Sequence, residues 1–283
     1  MTLAECIARG EVQLRAGPHS ERARRDAELL LQFVLGRDRA FVLAHPDDQV
    51  GQHSVERYFA LIQKRMAGEP VQYIVGEQEF YGLPFRVTPD VLIPRLETEH
   101  LVEKTLELAE RFEQPRIVDV GTGSGAIAVA LAHWLPLAQI TAVDISIGAL
   151  TVADKNAKRN GLVDRVRFIE SDLLAAVANE RFDIVVSNPP YVPSGDRESL
   201  SVEVREHEPS LALFAGEDGM DVYRRLIPEA FSVLAPGGFV VLEIGYGQAE
   251  SVTALLAQAG FQHIETLPDL QGIPRILCGQ RPR

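Results

Sequence analysis

The chain has 283 residues, 46% of them hydrophobic and 24% charged. That composition fits a globular protein of one large or two modest domains and excludes a disordered or fibrous class. No apolar run reaches membrane-spanning length and Met1 to Gly10 lacks the apolar core of a signal peptide, so neither a membrane nor export is expected; the net charge of -12 argues against general nucleic-acid binding.

In chain order, Ala27 to Leu35 carries an apolar face at helical spacing and is closed by Gly36. The Leu29 to Leu35 stripe reads as core rather than as a docking surface. A second helix is predicted from Val55 to Met66, ahead of Gly68 and Pro70. Residues 1–75 thus read as a small helical domain. Residues 76–96 read as a β-hairpin linker, with Gly82-Leu83-Pro84 as its turn. A further helix is expected from Thr98 toward Phe112, opening a larger domain over residues 97–283.

After Pro115 strands and helices alternate. Strands are predicted at Ile117–Val120, Ile140–Asp144, Val166–Ile169, Phe182–Val186 and Phe239–Ile244. Helices are predicted at Ala126–Trp134, from a Ser146 cap to Gly161, at Val222–Leu234 and at Glu250–Gln258, with two late strands around the last. Repeated βα units imply an α/β fold, a doubly wound and mostly parallel sheet.

The first of these strands runs into Asp119-Val120-Gly121-Thr122-Gly123-Ser124-Gly125. Glycines let the backbone turn sharply and approach a ligand, and the following helix offers free N–H groups. A dinucleotide loop wants Gly-x-Gly-x-x-Gly, but here the glycines recur at every second residue and an acid precedes them. This suits a ligand with an α-amino group: Asp119 could pair with its ammonium while loop amides face its carboxylate. Asp144, at the next strand end, can accept from both ribose hydroxyls, since a carboxylate offers two oxygens. Asp172 could accept from an adenine amino group while Leu173 covers the ring. The three strand ends in this order resemble the class I S-adenosylmethionine methyltransferases.

The fourth strand ends in Asn188-Pro189-Pro190-Tyr191. A nitrogen nucleophile with two N–H donors needs two acceptors. The Asn188 side-chain oxygen can supply one, and the Pro189 carbonyl can supply the other, in a segment whose prolines fix φ and bring no competing donor. Pro190 extends that rigidity, and Tyr191 can stack on a flat target. Taken alone, such a segment is also an ordinary rigid turn. The seven histidines show no ligand spacing, so no metal is expected, and two cysteines near opposite ends fit a reduced, cytoplasmic protein.

The chain resembles the release factor glutamine methyltransferases over nearly its full length. The likeness rests on the glycine loop and Asn-Pro-Pro-Tyr together with Glu69–Gly76, Val91–Glu99, Glu208-Pro209 with Leu211–Phe214, and Leu242–Gly245. The resemblance implies a Rossmann-like, seven-stranded and mostly parallel sheet with helices on both faces. It implies S-adenosyl-L-methionine as cofactor, S-adenosyl-L-homocysteine as product, and class I peptide chain release factors as substrate. The target would be the glutamine of their Gly-Gly-Gln motif, converted to N(5)-methylglutamine. Carried over by position, Gly121, Thr122, Gly123, Ser124, Gly125, Asp144 and Leu173 line the cofactor. Asn188 touches cofactor and substrate, while Pro189, Pro190 and Tyr191 hold the glutamine amide. The helical domain would grip the release factor, and nothing demands more than a monomer. Leu96 departs from the family's Pro-Arg-Pro-Glu-Thr-Glu. Arg95 and Glu97 can equally be read as a salt-bridged helix start, and Glu208-Pro209 as a plain turn. Two other functions share parts of the pattern: an adenine-amino methyltransferase, which also uses Asn-Pro-Pro-Tyr, and a binding factor that keeps the cofactor only as a structural ligand.

Overall fold

The computed structural model describes residues 1–269 and 271–283. They form two compact units, one of Met1–Glu77 with Leu200–His207, the other of Gln78–Ser199 with Glu208–Arg283.

The first unit contains α1 (Leu3–Leu14), α2 (Ala23–Leu35), α3 (Arg39–Ala44), α4 (Gln52–Met66) and α5 (Val71–Val75). A capping box opens α1: the Thr2 hydroxyl accepts from the Glu5 amide, and the Glu5 carboxylate accepts from the Thr2 amide. Left-handed Gly36 closes α2 as the sequence predicts. Leu30 and Leu31 are fully buried with Tyr58 and Ile62 of α4, whereas Leu29 and Phe33 stay partly exposed. The apolar stripe is therefore mainly core. Arg65, 2% exposed, donates to Asp26 at 2.7 Å and to Glu203 at 2.8 Å. Burial of a guanidinium is tolerated here because carboxylates meet it from two directions. Glu203 lies in Val202–His207, far along the chain, so this stretch completes the helical unit's core charge cluster.

The hairpin of β1 (Glu77–Phe80) and β2 (Leu83–Arg86) starts at the last residue of the first unit and otherwise belongs to the second. Its turn is Tyr81-Gly82, both at positive φ, rather than Gly82-Leu83-Pro84. The Glu99 carboxylate accepts the Tyr81 amide at 2.8 Å, which supports the left-handed tyrosine and leaves Leu83 and Pro84 in β2. The chain continues through α6 (Glu99–Ala109), β3 (Arg116–Val120), α7 (Ala126–Trp134), β4 (Gln139–Asp144), α8 (Ile147–Arg159), β5 (Val166–Glu170) and β6 (Phe182–Ser187). After the excursion of α9 (Val202–His207) come α10 (Asp221–Val233), β7 (Leu234–Glu243), α11 (Ala249–Ala259), β8 (Gln262–Pro268) and β9 (Pro274–Gln280).

The described residues form a seven-stranded sheet in the order β5-β4-β3-β6-β7-β9-β8, parallel apart from β9, which runs antiparallel to both neighbours. Side chains alternate across each strand, so its two faces feed two apolar clusters. Ile117, Ile140 and Ile184 pack with α6 and α7, whereas Val118, Val185 and Val240 pack with α10 and α11. Near-complete burial of Ala126 to Ala132 explains why α7 reads as an apolar run rather than an amphipathic helix. The strand order departs in opposite directions from β3, toward β4 on one side and β6 on the other. That split opens a crevice at the C-terminal ends of β3 and β6.

Candidate active site

The ends of β3, β4, β5 and β6 all contribute to one crevice, whose walls include Val120, Gly121, Gly123, Asp144, Leu173, Asn188 and Pro190. The glycine loop is held from two sides. The amides of Gly121 and Thr122 donate to the Val143 carbonyl at 2.9 and 3.0 Å, and the Gly123 amide donates to Asp144 at 2.8 Å. Gly121 and Gly123 have positive φ, and a Cβ on either would meet no neighbour within 4 Å. Their missing side chains leave open space on the crevice wall. Gly125 serves helix packing instead. A Cβ there would lie 3.0 Å from that of Ala153, so glycine permits close approach of α7 and α8.

Thr122 and Ser124 are buried behind the wall. The Thr122 hydroxyl donates to Asp119 at 2.6 Å, and the Ser124 carbonyl accepts from Asn156 at 2.8 Å. Asn156, fully buried, also pairs with both backbone groups of Arg86. It thereby stitches the hairpin to the glycine loop. Asp119 is fully buried, with 0% exposure. Burial pushes its carboxyl up to about 7, opposed by the Thr122 hydroxyl and reinforced by the nearby charge of Asp144.

Asp144 accepts from the Gly123 amide through one oxygen and from Ser146 at 2.9 Å through the other. Burial raises its pKa, and these backbone donors oppose the shift. Each oxygen retains acceptor capacity on the crevice side. Leu173 adopts a positive φ beside it, an uncommon conformation for a side-chain-bearing residue. Asp172 is exposed and pairs with Arg225 at 2.6 Å. Both residues border the crevice, so any hydrogen bond from a ligand to Asp172 shares its carboxylate with a guanidinium. Ile145, Leu211 and Phe214 add apolar wall. Ile145 is 49% exposed although it follows a buried strand, the local signal that sets it on the crevice wall.

Of the Asn-Pro-Pro-Tyr segment, Asn188 and Pro190 line the same crevice, whereas Pro189 and Tyr191 lie outside its lining. Asn188 donates from Nδ2 to the Thr98 hydroxyl at 3.1 Å, and Thr98 donates to Glu243 at 2.7 Å. Tyr191 donates its hydroxyl to the other oxygen of Glu243 at 3.4 Å. Burial pushes the Glu243 carboxyl up to about 7 and the Tyr191 phenol well above its ordinary range. Gln248 donates to the Tyr191 carbonyl at 3.0 Å and accepts from the Gly245 amide. Pro189 is buried and Pro190 lines the wall. Arg95 pairs with Glu208, which also accepts the Ile93 amide, so two of the family-like stretches meet each other. The carboxylate that Arg95 meets is thus Glu208, far along the chain, rather than Glu97 at the helix start.

Among the described residues no group of His, Cys, Asp and Glu side chains gathers as a metal site, and no helix is long and apolar enough to cross a membrane. A switch-point crevice with a glycine loop, a strand-end carboxylate and Asn-Pro-Pro-Tyr defines a class I methyltransferase.

Comparison with known proteins gives the family. Residues 5–76 match the model described as the PrmC N-terminal domain, and residues 97–204 match the methyltransferase small domain. The chain is 46% identical over 260 residues to the release factor glutamine methyltransferase of Koribacter versatilis (strain Ellin345), covering 92% of this chain and 91% of that one. It is 43% identical over 282 residues to that of Moorella thermoacetica, covering 99% of each. A 16S rRNA N2 G1207 methyltransferase from T. thermophilus shares the fold, with a TM-score of 0.54, 22% identity, and coverage of 72% of this chain and 49% of that one. The chain belongs to the release factor glutamine methyltransferase family.

Proposed function

We infer that the chain methylates the side-chain amide nitrogen of the glutamine in the Gly-Gly-Gln motif of class I peptide chain release factors, using S-adenosyl-L-methionine. The observation that carries this reading is Asn188 on the wall that Gly121, Gly123 and Asp144 also form, with its NH2 turned to Thr98. Its side-chain oxygen is then the group left for a substrate donor.

The crevice fits the cofactor: a Cβ-free cradle at Gly121 and Gly123, a two-oxygen acceptor at Asp144, and apolar cover from Leu173 and Phe214. When bound, S-adenosyl-L-methionine supplies an electrophilic methyl group on a sulfonium. Gly121 and Gly123 would admit it to the backbone, Asp144 would take the ribose hydroxyls, and Asp172 with Leu173 would border the adenine. Thr122, Ser124 and Gly125 hold the loop, and Asp119 braces it through Thr122.

For the substrate, Asn188 Oδ1 and the Pro189 carbonyl accept the two amide protons. That pair draws a planar nitrogen toward pyramidal geometry and frees its lone pair. An unsatisfied buried donor or acceptor costs about 1–3 kcal/mol, so the site selects an NH2 group. Tyr191 and Pro190 border the flat amide. Residues 1–75 take the release factor away from the loop, and the protein acts as a cytoplasmic monomer in which the buried Cys6 and Cys278 stay thiols.

The test presents labelled cofactor, in separate reactions, with an intact release factor, its Gln-to-Ala loop variant and duplex DNA. Label on the intact release factor alone is expected. Label on DNA would replace this reading with that of an adenine-amino methyltransferase, and no turnover on any of them would reduce the protein to a binding factor.

A further inference from the structure

Asn188 is useful only one way round. An amide that presented its NH2 to the crevice would repel the substrate's own donors. A planar amide has no intrinsic preference between the two orientations, so something outside Asn188 must choose. The choice is visible two bonds away. Thr98 has a single hydroxyl proton, and its oxygen lies 2.7 Å from a Glu243 oxygen and 3.1 Å from Asn188 Nδ2. Thr98 is 5% exposed and Glu243 is 2% exposed, so water does not readily rearrange this chain of contacts. With its proton committed to a carboxylate, the hydroxyl can only accept from Asn188. Asn188 therefore turns its NH2 inward and its oxygen outward.

We propose that Thr98 and Glu243 are positioning residues that fix the polarity of the Asn188 amide, and so make the crevice an acceptor site for a carboxamide rather than a carboxylate. The proposal rests on the reading that Asn188 holds the substrate nitrogen.

The carboxylate is itself well placed for this role. Its second oxygen receives the Tyr191 hydroxyl, so one side chain orders both ends of the Asn-Pro-Pro-Tyr segment. As a neutral acid it keeps this role only with its proton on the oxygen that faces Tyr191, which leaves the other to accept from Thr98. The Glu243 backbone is held in turn, because the Tyr223 hydroxyl donates to its carbonyl at 2.7 Å. Neither Thr98 nor Glu243 is among the residues lining the crevice, so both act through Asn188 and Tyr191.

Thr98→Val keeps the shape and removes the hydroxyl, whereas Thr98→Ser keeps the hydroxyl. Both are compared with the parent and with Asn188→Ala for kcat, for KM toward a release factor, and for the dissociation constant of S-adenosyl-L-homocysteine. Each is also tested for binding to release factors carrying Gln or Glu in the Gly-Gly-Gln loop. Thr98→Val should lose at least about tenfold in kcat/KM while cofactor-product affinity stays within about twofold. It should also bind the Glu-loop release factor relatively better, because a freed amide can offer its NH2 to a carboxylate. Thr98→Ser should restore both the rate and the Gln-over-Glu preference. Loss of packing alone would not shift that preference. The proposal falls if Asn188→Ala is inactive but Thr98→Val matches the parent. It falls equally if Ser and Val fail alike or the Gln-over-Glu preference never moves. An active Asn188→Ala would remove the underlying reading first, and this one with it.

Discussion

Asn188 and Gly123 line the same crevice, and on the proposed reading they serve different halves of it, so their substitutions should separate cleanly. Asn188→Ala removes an acceptor for the substrate but leaves the glycine loop and Asp144 in place. Turnover is expected to vanish while cofactor affinity changes by no more than about tenfold, or about 1.4 kcal/mol. Calorimetric titration beside a single-turnover assay measures both, and ordinary turnover would strip Asn188 of its assigned role. Gly123→Ala should do the reverse. The left-handed φ of 54° costs an L-residue about 1–2 kcal/mol, yet the added methyl meets no protein atom within 4 Å. It instead enters the open space of the crevice. Cofactor affinity should therefore fall by more than the loss in unfolding free energy, which denaturation of the free protein and titration of the folded protein compare directly.

At the scale of elements, what the sequence reveals and what it conceals divide by range. Ala126–Trp134, the Ser146 cap and the strand-end acids are local signals: an apolar run, a hydroxyl three residues before an amide, a carboxylate at the close of a β-branched stretch. All can be read without knowing what lies opposite. Strand β7 starts at Leu234, earlier than its apolar run suggests, because Leu234 pairs with Phe182 across a register shift that absorbs Pro236-Gly237-Gly238. The contact between Thr98 and Asn188 spans 90 residues, and that between Thr98 and Glu243 spans 145. No periodicity encodes such pairings, although both partners lie in stretches that carry the family likeness. Asn156 is the plainest omission, a polar residue in a helix with no distinguishing neighbour. It makes two hydrogen bonds to Arg86 and one to Ser124 at 2.7–2.9 Å. Asn156→Ala leaves three backbone groups without that partner and should cost about 2–3 kcal/mol in chemical denaturation. A loss under half of that would mean the loop and hairpin find other partners.

Across the whole molecule, buried carboxyl groups make stability depend on pH, and Asp119 shows the sign. Its pKa rises from the ordinary carboxylate range near 3.8 to about 7 in the folded chain. Between those limits the folded state holds a proton that the unfolded state has released. Stability from this group is therefore greatest below about pH 4 and declines as pH rises toward 7; above that the penalty for burying the charge is fully present. Asp119→Asn replaces the ionisable group with a permanent neutral mimic whose oxygen can still accept from Thr122. The variant should melt close to the parent at or below about pH 4 and progressively above it as the buffer approaches pH 8, provided ionic strength is held constant. A thermal-shift difference that stays flat over that range would show that Asp119 remains charged throughout and that the loop compensates it. Cofactor titration at pH 8 then separates bracing from direct contact. An effect confined to stability keeps Asp119 behind the wall, whereas an affinity loss of more than about tenfold would put its charge against the ligand's ammonium after all.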